Sequence, residues 1–336
     1  MFINNKIKAA ALVISAVTAV SGCANSSAAP AVTAGADPAG TERISIVCTV
    51  FPEYDWVKQI LGSKADNADI TYLAGSGTDL HNFQPTTDDI IRISSCDLFV
   101  YVGGESDKWV QEALDGAVNK DMKVVNLLDS VGNAAKTEEI KEGMQSEEEG
   151  DEEDGEEAEY DEHVWLSVKN AKVICADIAG SLCELDPVNA EEYKANLTAY
   201  TAELDALDGE FAEVISAAPS KTVVFGDRFP FRYFTDDYGL DYYAAFVGCS
   251  AETEASFETV VFLARKLDEL GCKYIYTIEN SDKSIAQTII NSTSAKDLKI
   301  AELNSLQSVS KADADSGKTY ISLMRENCAV LKETLG

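Results

Sequence analysis

Short apolar runs alternate with amphipathic segments along most of the chain. The runs predict eight strands, at residues 44–50, 70–73, 98–102, 124–128, 222–225, 242–246, 273–278 and 299–303. Between them, segments such as TDDIIRISS and SFETVVFLARKLDELG carry apolar residues at the three- and four-residue spacing of a surface helix. A strand followed by a helix, repeated, is typical of parallel sheets covered by helices on both faces. The pattern therefore predicts two α/β lobes.

One segment departs from this alternation. Asp186 and Pro187 are a suitable N-cap and first-turn proline, and apolar residues then continue in steps of three and four until Pro219. A helix of about 30 residues would be roughly 45 Å long. A coiled coil would need partner heptads, which the sequence does not offer. We therefore predict one long, rigid helix that joins the lobes.

The N-terminus has the pattern of a secretory signal. Lys6 and Lys8 precede an apolar run at residues 9–20, which is too short to span a bilayer, and Ser-Gly-Cys23 follows. This ending resembles the lipobox of bacterial lipoproteins, which implies lipidation at Cys23; an ordinary signal peptide is the alternative. We expect a protein held by lipid at the extracytoplasmic face of the cell membrane.

Length and composition suggest the division of the remaining chain. Roughly 290 residues follow the N-terminal region, enough for two lobes. The predicted division is listed in order: signal peptide 1–22, lipidated flexible tether 23–43, N-terminal α/β lobe 44–185 with an acidic insert 142–162, connecting helix 186–218, and C-terminal α/β lobe 219–336.

Charge excludes one class of partner. The net charge is −31, and twelve acidic residues lie between positions 147 and 162. Such a chain repels nucleic acid and attracts cations. The insert has the composition of a solvated loop, and two interpretations remain open: it only solubilises the protein, or it concentrates cations near a binding site.

The cysteines do not indicate a structural metal site. Seven remain besides Cys23, and those at 48, 96, 175 and 272 lie in apolar segments, where a small buried side chain explains them. The sequence contains no CxxC pair, which argues against a four-cysteine zinc site. A disulfide that involves Cys249 is kept as an alternative.

The two histidines are the candidate metal ligands. His81 and His163 are the only histidines in 336 residues. His81 follows the strand at 70–73, at the carboxyl end where open α/β sheets bind ligands, and His163 directly follows the acidic run. Ordinary surface or core histidines are the alternative. Metal ligation through neutral imidazole is the simpler explanation for two such isolated positions.

Five segments together resemble a known family. They are FPEYDWVKQILG, GTDLHNFQPTTDDI, CDLFVYVGGESDKWV, DEHVWLSVKNA and GKTYISLMRENCAVLKETL. In this order they are similar to landmarks of the ZnuA/TroA-type metal-binding lipoproteins of ABC transporters. The resemblance implies two α/β lobes, a long joining helix and one divalent metal bound between the lobes. It implies His81 as the first ligand and His163 as the second.

The third and fourth ligand positions depart from the family pattern. An ungapped count from Tyr238-Gly239 puts Arg228 on the third position, which a cation site would not use directly, so the neighbouring Asp227 is the expected substitute. Asn304, near the end of the last strand, is the expected fourth ligand. Three further carboxylates remain alternatives: Glu252, Glu254 and Glu279.

The resemblance also implies a function. We expect capture of zinc, with manganese possible, and delivery to an ABC permease and its ATPase by a monomeric receptor that binds no nucleic acid. A site that releases its ion unchanged is not an enzyme, and neither HExxH nor GxSxG occurs in the sequence. A manganese or iron receptor, and a surface adhesin with a degenerate metal site, remain alternatives.

Overall fold

The computed structural model describes residues 43–145, 159–250, 254–295 and 297–336. All eight predicted strands are present in these ranges. They are β1 Ser45–Cys48, β2 Asp69–Tyr72, β3 Leu98–Tyr101, β4 Lys123–Asn126, β5 Thr222–Phe229, β6 Asp241–Val247, β7 Tyr274–Ile278 and β8 Lys299–Leu303. The predicted positions were right because each strand is a short apolar run that lies between helices.

The strands form two separate parallel sheets. The first has the order β2-β1-β3-β4, and the second has the order β6-β5-β7-β8. Every strand pairing within the two sheets is parallel. Together with the flanking helices, this confirms the predicted α/β class of two parallel-sheet lobes.

Helices cover both sheets. In chain order they are α1 Phe51–Leu61, α2 Thr87–Ser95, α3 Trp109–Asp115, α4 Leu127–Val131, α5 Val168–Leu185, α6 Ala190–Ala217, α7 Arg232–Tyr238, α8 Phe257–Leu270, α9 Ser284–Ser292, α10 Lys311–Asp315 and α11 Tyr320–Thr334. No helix of the described ranges is both long enough and apolar enough to cross a membrane.

The core explains how the two lobes are held together. One large apolar cluster includes residues of both sheets, with α1, α5, α6 and α11 packed between them. The opposite face of the first sheet packs against α2 and α3, and the opposite face of the second packs against α8 and α9. Because the central cluster is continuous, the lobes share one hydrophobic core.

The long helix α6 begins later than the sequence pattern predicts. It starts at Ala190, and Asp186 instead follows the last turn of α5. The carboxylate of Asp186 accepts hydrogen bonds from Asn189 Nδ2 at 2.6 Å and Tyr193 Oη at 2.7 Å. These bonds stabilise the turn between the helices. Helix α6 packs on α1, α5 and α11, so it lies within the core and does not span open solvent.

Cysteines other than Cys23 are unpaired. The structure describes all seven, and each is a free thiol. Cys48, Cys96 and Cys175 are buried, which fits their predicted packing role; Cys272, predicted to be buried as well, is only partly buried, and Cys328 is also buried. Cys23, the predicted lipidation site, lies outside the described residues.

Candidate metal centre

Two similar turns position the histidines. In each turn an aspartate two residues earlier accepts the histidine backbone N–H: Asp79 Oδ1 at 3.0 Å from His81 N, and Asp161 Oδ1 at 2.9 Å from His163 N. The first turn follows β2 and the second lies in the long connection after β4. Both strands are parallel members of one sheet, so both connections leave from its carboxyl edge. The turns thus bring the two imidazoles to one place.

The imidazoles point toward each other through their Nε2 atoms. These atoms lie 3.1 Å apart. On the other side, His163 Nδ1 lies 2.8 Å from Asp161 Oδ1. His81 Nδ1 lies 2.8 Å from Ser106 Oγ and 3.4 Å from Glu162 Oε2. Each Nδ1 thus has an oxygen within hydrogen-bond distance. In the tautomer in which both Nδ1 atoms donate, the two Nε2 lone pairs converge, an arrangement that a cation between them stabilises.

The distance suits one tetrahedral ion. Two nitrogens that each lie about 2.0–2.1 Å from a tetrahedral zinc are separated by about 3.3 Å. The observed separation of 3.1 Å needs only a small outward movement of the rings. His81 and His163 can therefore bind the same metal.

Burial adjusts the protonation of the two rings. His163 is fully buried, and the His81 side chain is 8% exposed. Burial, followed by the charge of His163, lowers the pKa of His81 to about 3. Burial also acts to lower the pKa of His163, but Asp161 and Glu162 outweigh it and raise that pKa. His81 is thus a neutral imidazole at physiological pH, the form that can bind a metal, and His163 is polarised by a carboxylate.

A third potential ligand is a cysteine that was not predicted to bind metal from the sequence. Among the described residues, His81, His163 and Cys249 form a group whose ligating atoms all lie within 4.8 Å of one another. Cys249 follows β6 closely, and its backbone N–H donates to Glu138 Oε1 at 3.0 Å. Burial and the charges of nearby carboxylates, chiefly Glu138, raise the pKa of its thiol. Its position just after the strand predicted at 242–246 was the feature of the sequence that could have indicated Cys249 as a ligand.

Asp227, the expected third ligand, does not belong to this group. It lies within β5, where the register with β6 shifts between Phe225 and Arg228. Its Oδ1 accepts the N–H of Arg228 at 2.9 Å and its Oδ2 accepts the N–H of Ile278 at 3.2 Å. The carboxylate thus satisfies backbone donors at the irregularity in the strand.

Arg228 itself is part of an ion pair beside the histidines. Its Nη2 lies 2.7 Å from Asp79 Oδ2, so it joins the second sheet to the turn that carries His81. The guanidinium also contributes to the lowered pKa of His81. The expectation that Arg228 would not bind a cation directly fits this contact.

The remaining candidates are engaged elsewhere or exposed. Asn304 Oδ1 accepts the N–H of Leu306 at 2.8 Å. The buried Glu279 accepts hydrogen bonds from Ser305 N at 2.6 Å and Ser305 Oγ at 2.8 Å. Glu254 is exposed, and Glu252 lies outside the described residues. The structure therefore brings together His81 and His163 of the predicted residues, and adds Cys249.

Fold and site together define a class: a two-lobed α/β protein with a buried histidine pair arranged for one metal ion. Comparison with known proteins gives the family. The family model described as "Zinc-uptake complex component A periplasmic" (ZnuA) matches residues 46–334. The chain belongs to the ZnuA family, which confirms the resemblance seen in the sequence. This family supplies binding components for metal uptake, in agreement with the expectation that the chain is not an enzyme.

Two relatives illustrate the match. The zinc-binding lipoprotein AdcA of Streptococcus pneumoniae is 33% identical over 295 residues, which cover 87% of this chain and 56% of that protein. The chain thus spans about half the length of the AdcA relatives. The high-affinity zinc uptake system protein ZnuA of Bacillus subtilis is 30% identical over 318 residues, which cover 94% of this chain and 93% of that protein.

Solved structures agree. The Zn(II)-bound ZnuA-like domain of S. pneumoniae AdcA matches with a TM-score of 0.67 and 30% identity, covering 87% of this chain and 99% of that domain. A mutant of the laminin-binding adhesin Lmb of Streptococcus agalactiae matches with a TM-score of 0.70 and 25% identity, covering 87% and 100% of the two chains. Both share the two-lobed fold.

Proposed function

We propose that this protein is an extracytoplasmic solute-binding lipoprotein that captures zinc and hands it to an ABC importer. The observation that carries the proposal is the convergence of His81 Nε2 and His163 Nε2, 3.1 Å apart, in a buried site at the edge of a parallel sheet. Zinc is the first choice because imidazole is among its preferred ligands. The zinc-binding names of the relatives support the same choice.

The site can bind and release an ion without chemistry on it. Asp161 and Ser106 hold the imidazoles through their Nδ1 atoms, while Nε2 of each ring is left for the metal. Such partners orient metal ligands and raise their basicity. We assign Asp227 and Asn304 to backbone hydrogen bonding and not to the metal.

The proposal extends to location and partners. We propose that Cys23 is lipidated, that residues 1–22 are removed, and that residues 23–43 tether the binding lobes to the membrane. The lobes would be residues 44–185 and 219–336, joined by 186–218, and the receptor would act as a monomer. A membrane permease and a cytoplasmic ATPase would receive the ion. The word "lipoprotein" in the name of the AdcA relative supports this arrangement.

Native mass spectrometry with elemental analysis tests the proposal. The soluble chain that begins at Ala24 is compared with its His81→Ala/His163→Ala double variant after exposure to zinc and, separately, to manganese. We expect one zinc per wild-type chain and none in the variant. If loading with each ion leaves the wild type without stoichiometric metal, the receptor function is wrong. Metal-independent ligand capture would then favour the adhesin alternative.

A further inference from the structure

Cys249 differs from the other cysteines in its surroundings. The segment after β6 places its thiol beside both histidines, with all three potential ligand atoms within 4.8 Å of one another. When the histidine, cysteine, aspartate and glutamate side chains of the described residues are compared, His81, His163 and Cys249 form the group whose spacing suits a metal ion. The imidazoles are carried by connections of the first sheet, whereas the thiol follows β6 of the second sheet, so the three ligand atoms come from both lobes.

A glycine allows this close approach. A Cβ atom added to Gly248 would lie 2.9 Å from His163 Cε1 and 3.0 Å from the carbonyl oxygen of Phe229. Any larger residue would push the chain away from the imidazole. The backbone N–H of Cys249 is also held by Glu138 Oε1 at 3.0 Å. Two independent contacts thus keep the Cys249 segment next to the ring of His163.

Asp227 and Glu279, which the sequence offered as oxygen ligands, are already occupied. The carboxylates of Asp227 and Glu279 accept backbone N–H groups, and Arg228 forms an ion pair with Asp79. Asp161 Oδ1 is committed to the Nδ1 of His163. Two imidazoles alone would leave a tetrahedral ion short of protein ligands, and Cys249 is placed to add one.

We propose that Cys249 is the third metal ligand and that the resulting two-histidine, one-thiolate set makes this receptor selective for zinc against manganese. Thiolate ligands favour zinc, whereas manganese prefers carboxylate, carbonyl and water oxygens. On binding, the S–H bond is replaced by a metal–sulfur bond, and the proton passes to the buffer. This inference rests on the proposed function, which supplies the bound metal.

Zinc X-ray absorption and competition titrations test the inference on the tether-free chain under reducing conditions. The variants are Cys249→Ser, Cys249→Asp and the control Cys272→Ser, which removes another partly buried free thiol. We expect one sulfur at about 2.3 Å from zinc in the wild type and in the control, and none in Cys249→Ser. Zinc affinity in Cys249→Ser should fall by more than the roughly 10- to 100-fold typical of outer partners.

Selectivity gives a second readout. Cys249→Asp should lower the ratio of zinc to manganese affinity, because it exchanges a soft ligand for a hard one. Cobalt(II) should show a thiolate charge-transfer band in the near ultraviolet in the wild type and in Cys272→Ser, and should lose it in both Cys249 variants. Each protein is checked by circular dichroism for folding.

The outcomes separate the two proposals. Stoichiometric zinc with only nitrogen and oxygen neighbours, together with unchanged affinity in Cys249→Ser, overturns the role of Cys249 and leaves the receptor function intact. If the wild type binds no metal at all, the receptor function itself fails.

Discussion

The smallest unit of the site is the Asp-x-His turn, which occurs twice. Asp79 and Asp161 each hold the backbone N–H of the histidine two residues later, yet their second contacts differ. Asp161 also contacts the Nδ1 of His163, whereas Asp79 forms an ion pair with Arg228. Asp161 therefore orients the ring of a proposed metal ligand, and Asp79 connects its turn to the second sheet.

This difference leads to a prediction for Asp161. Asp161→Asn retains an oxygen that can accept the two hydrogen bonds of His163 but removes the negative charge beside the ring. We expect zinc affinity to fall by about 10-fold, toward the lower end of the range for outer partners of metal ligands. Competition titration with a chromophoric chelator measures the change.

The control is Asp177→Asn, which removes an exposed carboxylate from helix α5. Like Asp161→Asn, it makes the net charge of the protein one unit less negative. Equal losses in the two variants would show that overall charge is responsible, and would contradict the role of Asp161.

At the same scale, part of the site could be predicted from the sequence. His81 and His163 were identifiable because histidine is so rare in this chain, and the repeated aspartate two residues before each histidine was a further signal. Asp227 illustrates the limit. Its carboxylate could be seen near a strand, but the backbone donors that it satisfies, from Arg228 and Ile278, depend on the pairing of β5 with its neighbours.

At the scale of elements, the junction between β1 and α1 contains a buried carboxyl group. Glu53 is completely buried, and its Oε2 accepts the N–H groups of Thr49 at 2.7 Å and Val50 at 3.2 Å. Burial raises the pKa of Glu53 well above its usual value despite these bonds. The folded protein therefore binds the Glu53 proton more tightly than the unfolded chain does.

This shift sets the direction of a pH effect. The stability that Glu53 contributes is fully present below its unfolded pKa and is lost as pH rises through its folded pKa. Glu53→Gln, which can still accept the two backbone bonds, removes this titration. We subtract the free energy of unfolding of the wild type from that of the variant. This difference should increase with pH, by about 1.4 kcal/mol for each unit by which folding raises the pKa of Glu53.

Urea denaturation between pH 4 and pH 8 measures this difference. Glu112→Gln, at an exposed position of α3, is the matched control. A difference that stays constant with pH for Glu53→Gln would show that the buried group does not titrate as expected.

At the scale of the whole molecule, the acidic insert runs between the two lobes. The structure describes the residues on either side of residues 146–158. Gln145 N donates to Ala245 O at 2.9 Å, which places the start of the insert along β6. After the acidic run, Tyr160 pairs with Thr137, and Asp161 reaches His163. Residues 146–158 lie outside the described residues, but the chain enters and leaves that run close to the proposed site.

A charge-neutral insert tests whether the run concentrates cations. The nine acidic residues between positions 147 and 158 are replaced by Gln or Asn, so that length is unchanged. We expect slower zinc association at about 0.01 M ionic strength, where the screening length is about 30 Å, and little difference from wild type at about 1 M, where it is about 3 Å. Stopped-flow fluorescence of Trp165, whose ring centroid lies 5.3 Å from that of His163, reports binding.

A deletion of residues 147–158 provides the length control. Equal association rates for all three proteins at low ionic strength would leave the insert as a solubilising segment only.

The sequence by itself determined the α/β class, the eight strands, the long helix and the histidine pair, because these depend on local periodicity and on rare residues. Tertiary structure decided the rest. The start of α6 depends on the side-chain bonds of Asp186, and the placement of Cys249 depends on β6 ending beside a turn that lies far away in the chain. The bonds of Asp186 are local but depend on the geometry of the turn between α5 and α6. The contacts that place Cys249 join residues that are distant in sequence, and the alternation of polar and apolar positions does not encode which strand ends meet.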